Sequence, residues 1–356
     1  MRRLYRYQYA FIMLLSCVCS LFMITVVQNE LGSGAWIAFF LCLVPGMAVG
    51  AVFAGIFARN EGLTLHEIHM EAYGRKAGKL MTWIYILFFL LTGSVLLDYY
   101  GLYTLNTVLK MMRLPVFIGA VALAAAYTAG KGSEILGRLG VILGALLLTM
   151  AVISVALQFI QGDVDKLFPI FGTSADKLLL AVASLVAVEF GEMTAVMTFL
   201  PDVVQKKKLI RLNLWTMLAG NGLVALFAIG GVLVTGQTGG DVGFIRSVRS
   251  PGFGTVISSM EILAVGAFFF GAVFRLAVNI CAICRCMKDT LGLRSEKNLA
   301  LPVAGLMVGL SQLLTVSEEV IGRYLMHIYP YIALFPALVL PLITLGLSRK
   351  RRRVWR

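Results

Sequence analysis

Two carboxylates three residues apart, Glu189 and Glu192, stand in an apolar stretch, ASLVAVEFGEMTAVMTFLPDVV, Ala183 to Val204. On a helix this spacing puts them on one face. In hydrocarbon an acid costs about 2.5–3.5 kcal/mol at the bilayer centre, so an ionised, unpaired pair costs roughly 5–7 kcal/mol. In a low dielectric the two also repel, so at least one is expected to carry a proton. Acids kept in such a place either glue helices together by hydrogen bonds or line a cavity where they meet a ligand or a proton. Gly191 lies between them and Pro201 follows, and both weaken a helix. A break there frees backbone N–H and C=O groups, which lipid cannot satisfy and a protein-lined cavity can. Interrupted helices at the midplane are how many transporters build their sites.

Other polar groups lie in apolar runs. Arg275 and Asn279 share one run, where Arg275 either neutralises a glutamate or snorkels toward the inner face. Asp98, Tyr99 and Tyr100 lie toward the outer half of another; Asp98 reaches either the site or the interface, and the tyrosines join either the site or an aromatic belt. Glu261 reads as interfacial. In LSCVCS, Ser16, Cys17, Cys19 and Ser20 either permit close helix approach or mark a softened helix facing the glutamates. The expected ligand-binding set is Ser16, Cys17, Cys19, Ser20, Tyr99, Tyr100, Glu189, Phe190, Gly191, Glu192, Arg275 and Asn279. No Ser/His/Asp or metal constellation supports an enzyme, and no cofactor or metal is expected. His66-Glu67-Ile68-His69 brings its second histidine one residue too early for a zinc-helix motif and reads as solvated surface. Cys281 and Cys284 read as helix-packing residues, with S-acylation of Cys284 or Cys286 as the alternative.

The solvent of these groups follows from composition. Of 356 residues, 59% are hydrophobic and 14% charged, with mean hydropathy +0.88. Soluble domains carry about 25% charge, so a polytopic membrane protein is expected. The net charge of +13 sits in short clusters between apolar runs, with no basic groove interleaved with aromatics, so membrane lipids rather than nucleic acid are its partner. Ten segments are long or apolar enough to span: about 8–28, 35–58, 80–105, 115–130, 135–160, 177–200, 211–235, 255–284, 299–315 and 329–347. Despite its basic start, the first shows no small-residue cleavage site and reads as a span, not a signal peptide. With both termini cytoplasmic, inner segments hold 23 of the 31 Lys and Arg and outer loops hold 7, the asymmetry that membrane insertion produces. The inner loop 59–79 is expected to form an amphipathic helix with Leu63, Leu65, Ile68, Met70 and Tyr73 toward lipid. Five spans per half is an odd number, so repeats at about 8–160 and 177–347 would be inverted within a single transmembrane domain. Residues 348–356 form a basic cytoplasmic tail.

The segments LTLHEIHMEAYGRKAGKL, MMRLPVFIGAVALAAAYTAGKGSEILGRLGVIL, VDKLFPIF and FGEMTAVMTFLPDV, in this order and spacing, resemble the membrane-embedded B subunit of bacterial spore germinant receptors. That family is a branch of the amino acid–polyamine–organocation transporter superfamily. The likeness runs from Tyr7 to about Leu347 and includes Gly132, Glu134, Arg138, Phe190, Gly191, Glu192 and Pro201. It implies an all-α, ten-helix leucine-transporter-type fold with interrupted first and sixth helices. It also implies a small-molecule germinant, often an amino acid, and assembly with an A-type subunit and a lipoprotein C-type subunit in the spore inner membrane. Binding would trigger germination rather than sustained uptake. The chain departs from the family in its first helix, which has no glycine before Gly32 and no proline. Alternatives from the residues are a proton-coupled amino acid permease and a non-binding structural subunit.

Overall fold

The structure, a computed structural model, describes residues 4–107, 112–168, 174–204, 208–236, 254–314 and 317–348; of 107, 235, 254–268 and 318 it describes the backbone only. The basic tail beyond Ser348, the side chain of Glu261, and Arg2, Arg3, Lys110, Lys206, Lys207, Arg246 and Arg249 of the charge count lie outside the described residues.

Apolar runs with few charges satisfy their backbone internally, and the described chain is accordingly helical. In chain order come α1 (Arg6–Val18), α2 (Phe22–Leu31), α3 (Ala35–Arg59), α4 (Leu65–Tyr73), α5 (Arg75–Thr107), α6 (Leu114–Gly130), α7 (Ser133–Gln161) and α8 (Ala175–Leu185). There follow α9 (Met193–Met197), α10 (Leu209–Thr235), α11 (Gly254–Leu291), α12 (Ala300–Leu314), α13 (Glu318–His327), α14 (Tyr329–Leu334) and α15 (Leu340–Leu347). Among the described residues, 8 helical stretches are long and apolar enough to cross a membrane, and Leu114–Gly130 is a shorter apolar helix. The first of the eight, Arg6–Arg59, runs for 54 residues, over twice the roughly 20 that one crossing needs. Gly32, at φ +56°, breaks it before α3.

Two stretches are interrupted where small or polar residues had suggested it. Between α1 and α2 the chain tightens into a 3-10 turn, Cys19–Leu21. Between α8 and α9 it widens into a π-helical turn, Val186–Phe190, followed by the turn at Gly191 and Glu192. The stretch ends in a second tight turn, Leu200–Asp202, with Pro201 in its first positions. Around these breaks α1 packs on α7 and α10, α3 on α10 and α8, and α11 on α5.

The loop helix α4 is present, capped by Thr64, whose backbone N–H donates to Glu67 at 2.8 Å, and ended by Gly74 at φ +79°. Its expected surroundings are corrected. Leu65, His66, Ile68 and His69 are all buried against protein rather than facing lipid or water. A Cβ at Gly78 would stand 2.6 Å from the His69 carbonyl oxygen, so this glycine lets α4 lie directly on α5. Both histidine Nδ1 atoms lie 3.1 Å from the Thr82 hydroxyl, which itself donates to the Gly78 carbonyl at 3.0 Å. That hydroxyl has one hydrogen, already used, so each Nδ1 must donate to it. Thr290 of α11 reaches His66 at 3.4 Å, and His69 stacks on Tyr85 with ring centroids 5.3 Å apart.

Candidate functional site

The break in the α8–α9 stretch begins with one extra residue in the helical turn. The Gly191 N–H donates to the Val186 carbonyl, five residues back, at 3.0 Å. A Cβ at Gly191 would collide with the Ala187 carbonyl and stand 3.2 Å from the Ala337 Cβ, so any side chain here forces the turn to shift. Such π-turns inside helices recur at functional sites because they re-aim side chains and leave carbonyls free. Here Thr194 caps the freed Gly191 carbonyl at 2.7 Å. Phe190 is fully buried, and its ring occupies the space a side chain at Gly46 of α3 would need.

Glu189 and Glu192 leave this break halfway along the stretch Ala175–Asp202, and both are buried. Glu192 forms an ion pair with Arg275 of α11, each side chain only 2% exposed. Arg275 therefore meets a glutamate and does not snorkel. Among the described residues its Nε and Nη1 find no hydrogen-bond partner, nor does either carboxylate oxygen of Glu189. Two unused donors and two unused acceptors thus lie in a protein interior, where unmade hydrogen bonds are costly.

The first-helix turn closes the other side. Tyr100 of α5 donates to the Cys19 carbonyl at 2.7 Å, and Tyr99 makes a long 3.5 Å contact with the Phe22 carbonyl. Both tyrosines are buried and belong to the interior, not to an aromatic belt. Ser20 donates to the Cys17 carbonyl at 2.5 Å and Ser16 to the Ile12 carbonyl at 2.8 Å, so both hydroxyls are used within their own helix. The Phe22 ring lies 4.8 Å from Tyr99, 5.6 Å from Tyr100 and 5.9 Å from the Arg275 guanidinium. Cys17 meets the Met193 sulfur at 3.7 Å, and Cys19 faces Gly271 of α11. Asn279, one turn beyond Arg275, is buried beside Gly93 of α5, and its Oδ1 finds no hydrogen-bond partner among the described residues. Asp98 is also buried.

Of the expected residues, Glu192, Arg275, Tyr100 and Cys19 come together, with Tyr99 alongside through Phe22, whereas the Phe190 ring turns to Gly46 of α3 and Gly191 packs on Ala337. Ser16 and Ser20 contribute backbone-directed hydroxyls, and Asn279 sits at the α5–α11 contact. Sequence reasoning missed several members. Phe22 is an ordinary apolar residue in the sequence, and its cation–π contact is visible only in three dimensions. Asn221, whose amide reaches Cys17 at 3.6 Å and whose Oδ1 is unused, could have been found as a lone amide flanked by Gly220 and Gly222. Tyr329, joined to Thr92 at 2.8 Å, is the first residue of the last expected span, and nothing in its position there singled it out.

A second charged cluster lies at another level. Arg285 of α11 pairs with Asp202 and donates to the Thr198 carbonyl at 3.2 Å, while its guanidinium lies 4.4 Å from the Phe199 ring centroid. Ser133 of α7 donates to the same Asp202 carboxylate at 2.8 Å, and Leu4 bonds the Asp202 carbonyl at 3.1 Å. This latch binds the chain start, α7 and α11 to the end of the interrupted stretch. Cys281, Cys284 and Cys286 are buried in the same helix, out of reach of an acyl donor at the surface. Among the described residues no three His, Cys, Asp or Glu side chains gather as metal ligands would.

Comparison with solved structures places this architecture among leucine-transporter-type folds. The crystal structure of MhsT in complex with L-phenylalanine matches 98% of this chain and 97% of its own, with TM-score 0.64 at 14% identity. Mhp1, a nucleobase-cation-symport-1 family transporter in a closed conformation with bromovinylhydantoin bound, matches 99% of this chain and 82% of its own, with TM-score 0.70 at 14% identity. Among characterised sequences, spore germination protein KB of Bacillus subtilis (strain 168) is 22% identical over 344 residues, covering 90% of this chain and 89% of that protein. The family described as "Spore germination protein" matches residues 4–320. This multi-pass, permease-like membrane protein belongs to the spore germination protein family.

Proposed function

We propose that this protein is the membrane subunit of a spore nutrient-germinant receptor, binding a small zwitterion of the amino acid type and triggering germination. The observation that carries the reading is the buried Arg275–Glu192 pair with unused donors on Arg275 and unused acceptors on Glu189 beside it. A ligand carrying a carboxylate and an ammonium complements that set: its carboxylate meets the guanidinium and its ammonium meets the glutamates. Phe22 and Tyr100 supply apolar walls, Phe190 holds the break against α3, and the two helix breaks let the backbone give way as the ligand enters. Ser16, Cys17, Cys19, Ser20, Tyr99, Gly191 and Asn279 complete the proposed site. Ten crossings, in repeats at about 8–160 and 177–347, would put both termini in the cytoplasm of a cell whose spore inner membrane also holds A-type and lipoprotein C-type partners.

Spores carrying Glu192→Gln, exposed to a panel of nutrients, test this. A weakened response to one nutrient, with the subunit present at its normal level, is expected. Unchanged germination on every nutrient refutes it. A second reading, a proton-coupled amino acid permease, is favoured by Glu189, whose buried carboxyl finds no hydrogen-bond partner among the described residues. Vesicles holding the purified chain would then accumulate an amino acid under a pH gradient, and Glu189→Gln would abolish that uptake.

A further inference from the structure

A cavity of about 300 Å³ opens at the end of α3, away from the Arg275 cluster. Its walls come from three separate pieces: the last turn of α3 with the following Glu61 and Gly62, the tight turn at Leu200 and Pro201, and the start of α10 at Lys208. The floor is apolar and buried, with Ala54, Phe57 and Leu200. The mouth is exposed and carries two opposite charges, Glu61 and Lys208. Among the described residues these two do not pair with each other. Lys208 adopts φ +59°, the left-handed region, and is the only non-glycine residue to do so among those described. It directly precedes α10, whose first N–H groups have no partner within the helix.

We propose that this cavity holds a membrane phospholipid with a phosphoethanolamine headgroup. The apolar floor takes the upper part of an acyl chain, as ligand pockets of this size take apolar groups. The phosphate meets the Lys208 ammonium and the first N–H groups of α10, which together favour an anion. The headgroup ammonium, with three N–H donors, meets the Glu61 carboxylate. A choline headgroup has no N–H to donate there, and an anionic lipid would set its charge against Glu61. The cavity is at the end of the helices that the Lys and Arg asymmetry assigns to the cytoplasmic surface, where headgroups are at hand. Because Leu200 and Pro201 form one wall, an occupying lipid packs directly on the end of the interrupted stretch that carries Glu189 and Glu192. The site is independent of which ligand the Arg275 cluster takes.

The full-length protein in phosphatidylcholine nanodiscs, doped with phosphatidylethanolamine or with phosphatidylglycerol, tests the proposal by native mass spectrometry and thermal unfolding. Phosphatidylethanolamine should be retained as a bound adduct and raise the unfolding midpoint. Lys208→Ala and Glu61→Gln, both surface changes, should each weaken its retention about tenfold, the loss of one charge-assisted contact. Ala54→Trp, which fills the floor, should remove the adduct while the midpoint in pure phosphatidylcholine stays near that of the parent. Equal retention of phosphatidylglycerol with no effect of Glu61→Gln overturns the proposal in favour of a purely anionic site. Equal retention of all three lipids reduces it to an unspecific lipid shell. Stabilisation by soluble phosphoethanolamine as strong as by the lipid overturns the role of the acyl chain.

Discussion

Acidifying the purified protein from pH 7 to pH 5 should destabilise it through the buried histidine pair of α4. Burial pushes His69 down from its ordinary 6.5 to about 3, and the neighbouring His66 pushes in the same direction. His66 is also lowered by burial, although Asp289 and Glu67 pull it back up. The fold thus holds neutral imidazoles. Their contribution is fully present above the unfolded value of 6.5 and is lost progressively as pH falls from there toward about 3. Integrated between pH 7 and pH 5, His69 alone accounts for about 2 kcal/mol, a fall of about 3 °C in midpoint at an unfolding entropy of ~2.1 cal/mol/K per residue over 356 residues. His69 is 1% exposed, so solvent screens little of this. The six free cysteines are all buried, so unfolding can be followed with a thiol-reactive dye. His69→Gln keeps an N–H for Thr82 and has no titrating group. The measured quantity is the difference between parent and variant, because carboxylates contribute equally to both. If His69→Gln loses as much stability between pH 7 and pH 5 as the parent does, the argument that α4 is seated by neutral histidines is wrong.

The Arg275–Glu192 pair should behave as a charge pair that cannot be halved. Arg275→Met should cost ~3–5 kcal/mol by leaving a buried carboxylate alone, whereas Arg275→Met with Glu192→Leu should recover most of that; equal losses in a denaturation series would refute it. Gly191→Ala should destabilise by ~1–3 kcal/mol, since the added Cβ is forced into the Ala187 carbonyl; an unchanged midpoint would show that the π-turn relaxes freely. Asp202→Asn should loosen the latch on Arg285 and speed thiol labelling of the buried Cys281 and Cys284 below the unfolding midpoint. A labelling rate equal to that of the parent would show that the latch does not close this end of α11.

The all-helical membrane class and the positions of the helix breaks were legible in the sequence because each rests on local physics. Twenty apolar residues announce a crossing wherever they occur, and Gly191 and Pro201 weaken the backbone they belong to. The tight turn at Cys19–Leu21 had a fainter signal, in small polar side chains without glycine, and it is correspondingly slight. Partner choice was not legible. Arg275 is 83 residues from Glu192 and faced two glutamates that look equivalent on a helical wheel. The π-turn rotates one of them onto the guanidinium and leaves the other with no hydrogen-bond partner among the described residues. The histidines of α4 were misread as surface for the same reason: a polar residue in a loop is buried or solvated according to what the rest of the chain lays against it. Here Gly78, Thr82 and Thr290 close over them. Hydrophobic length and charge count decide how often and where the chain meets the membrane. Only the packing of distant helices decides which charges meet each other.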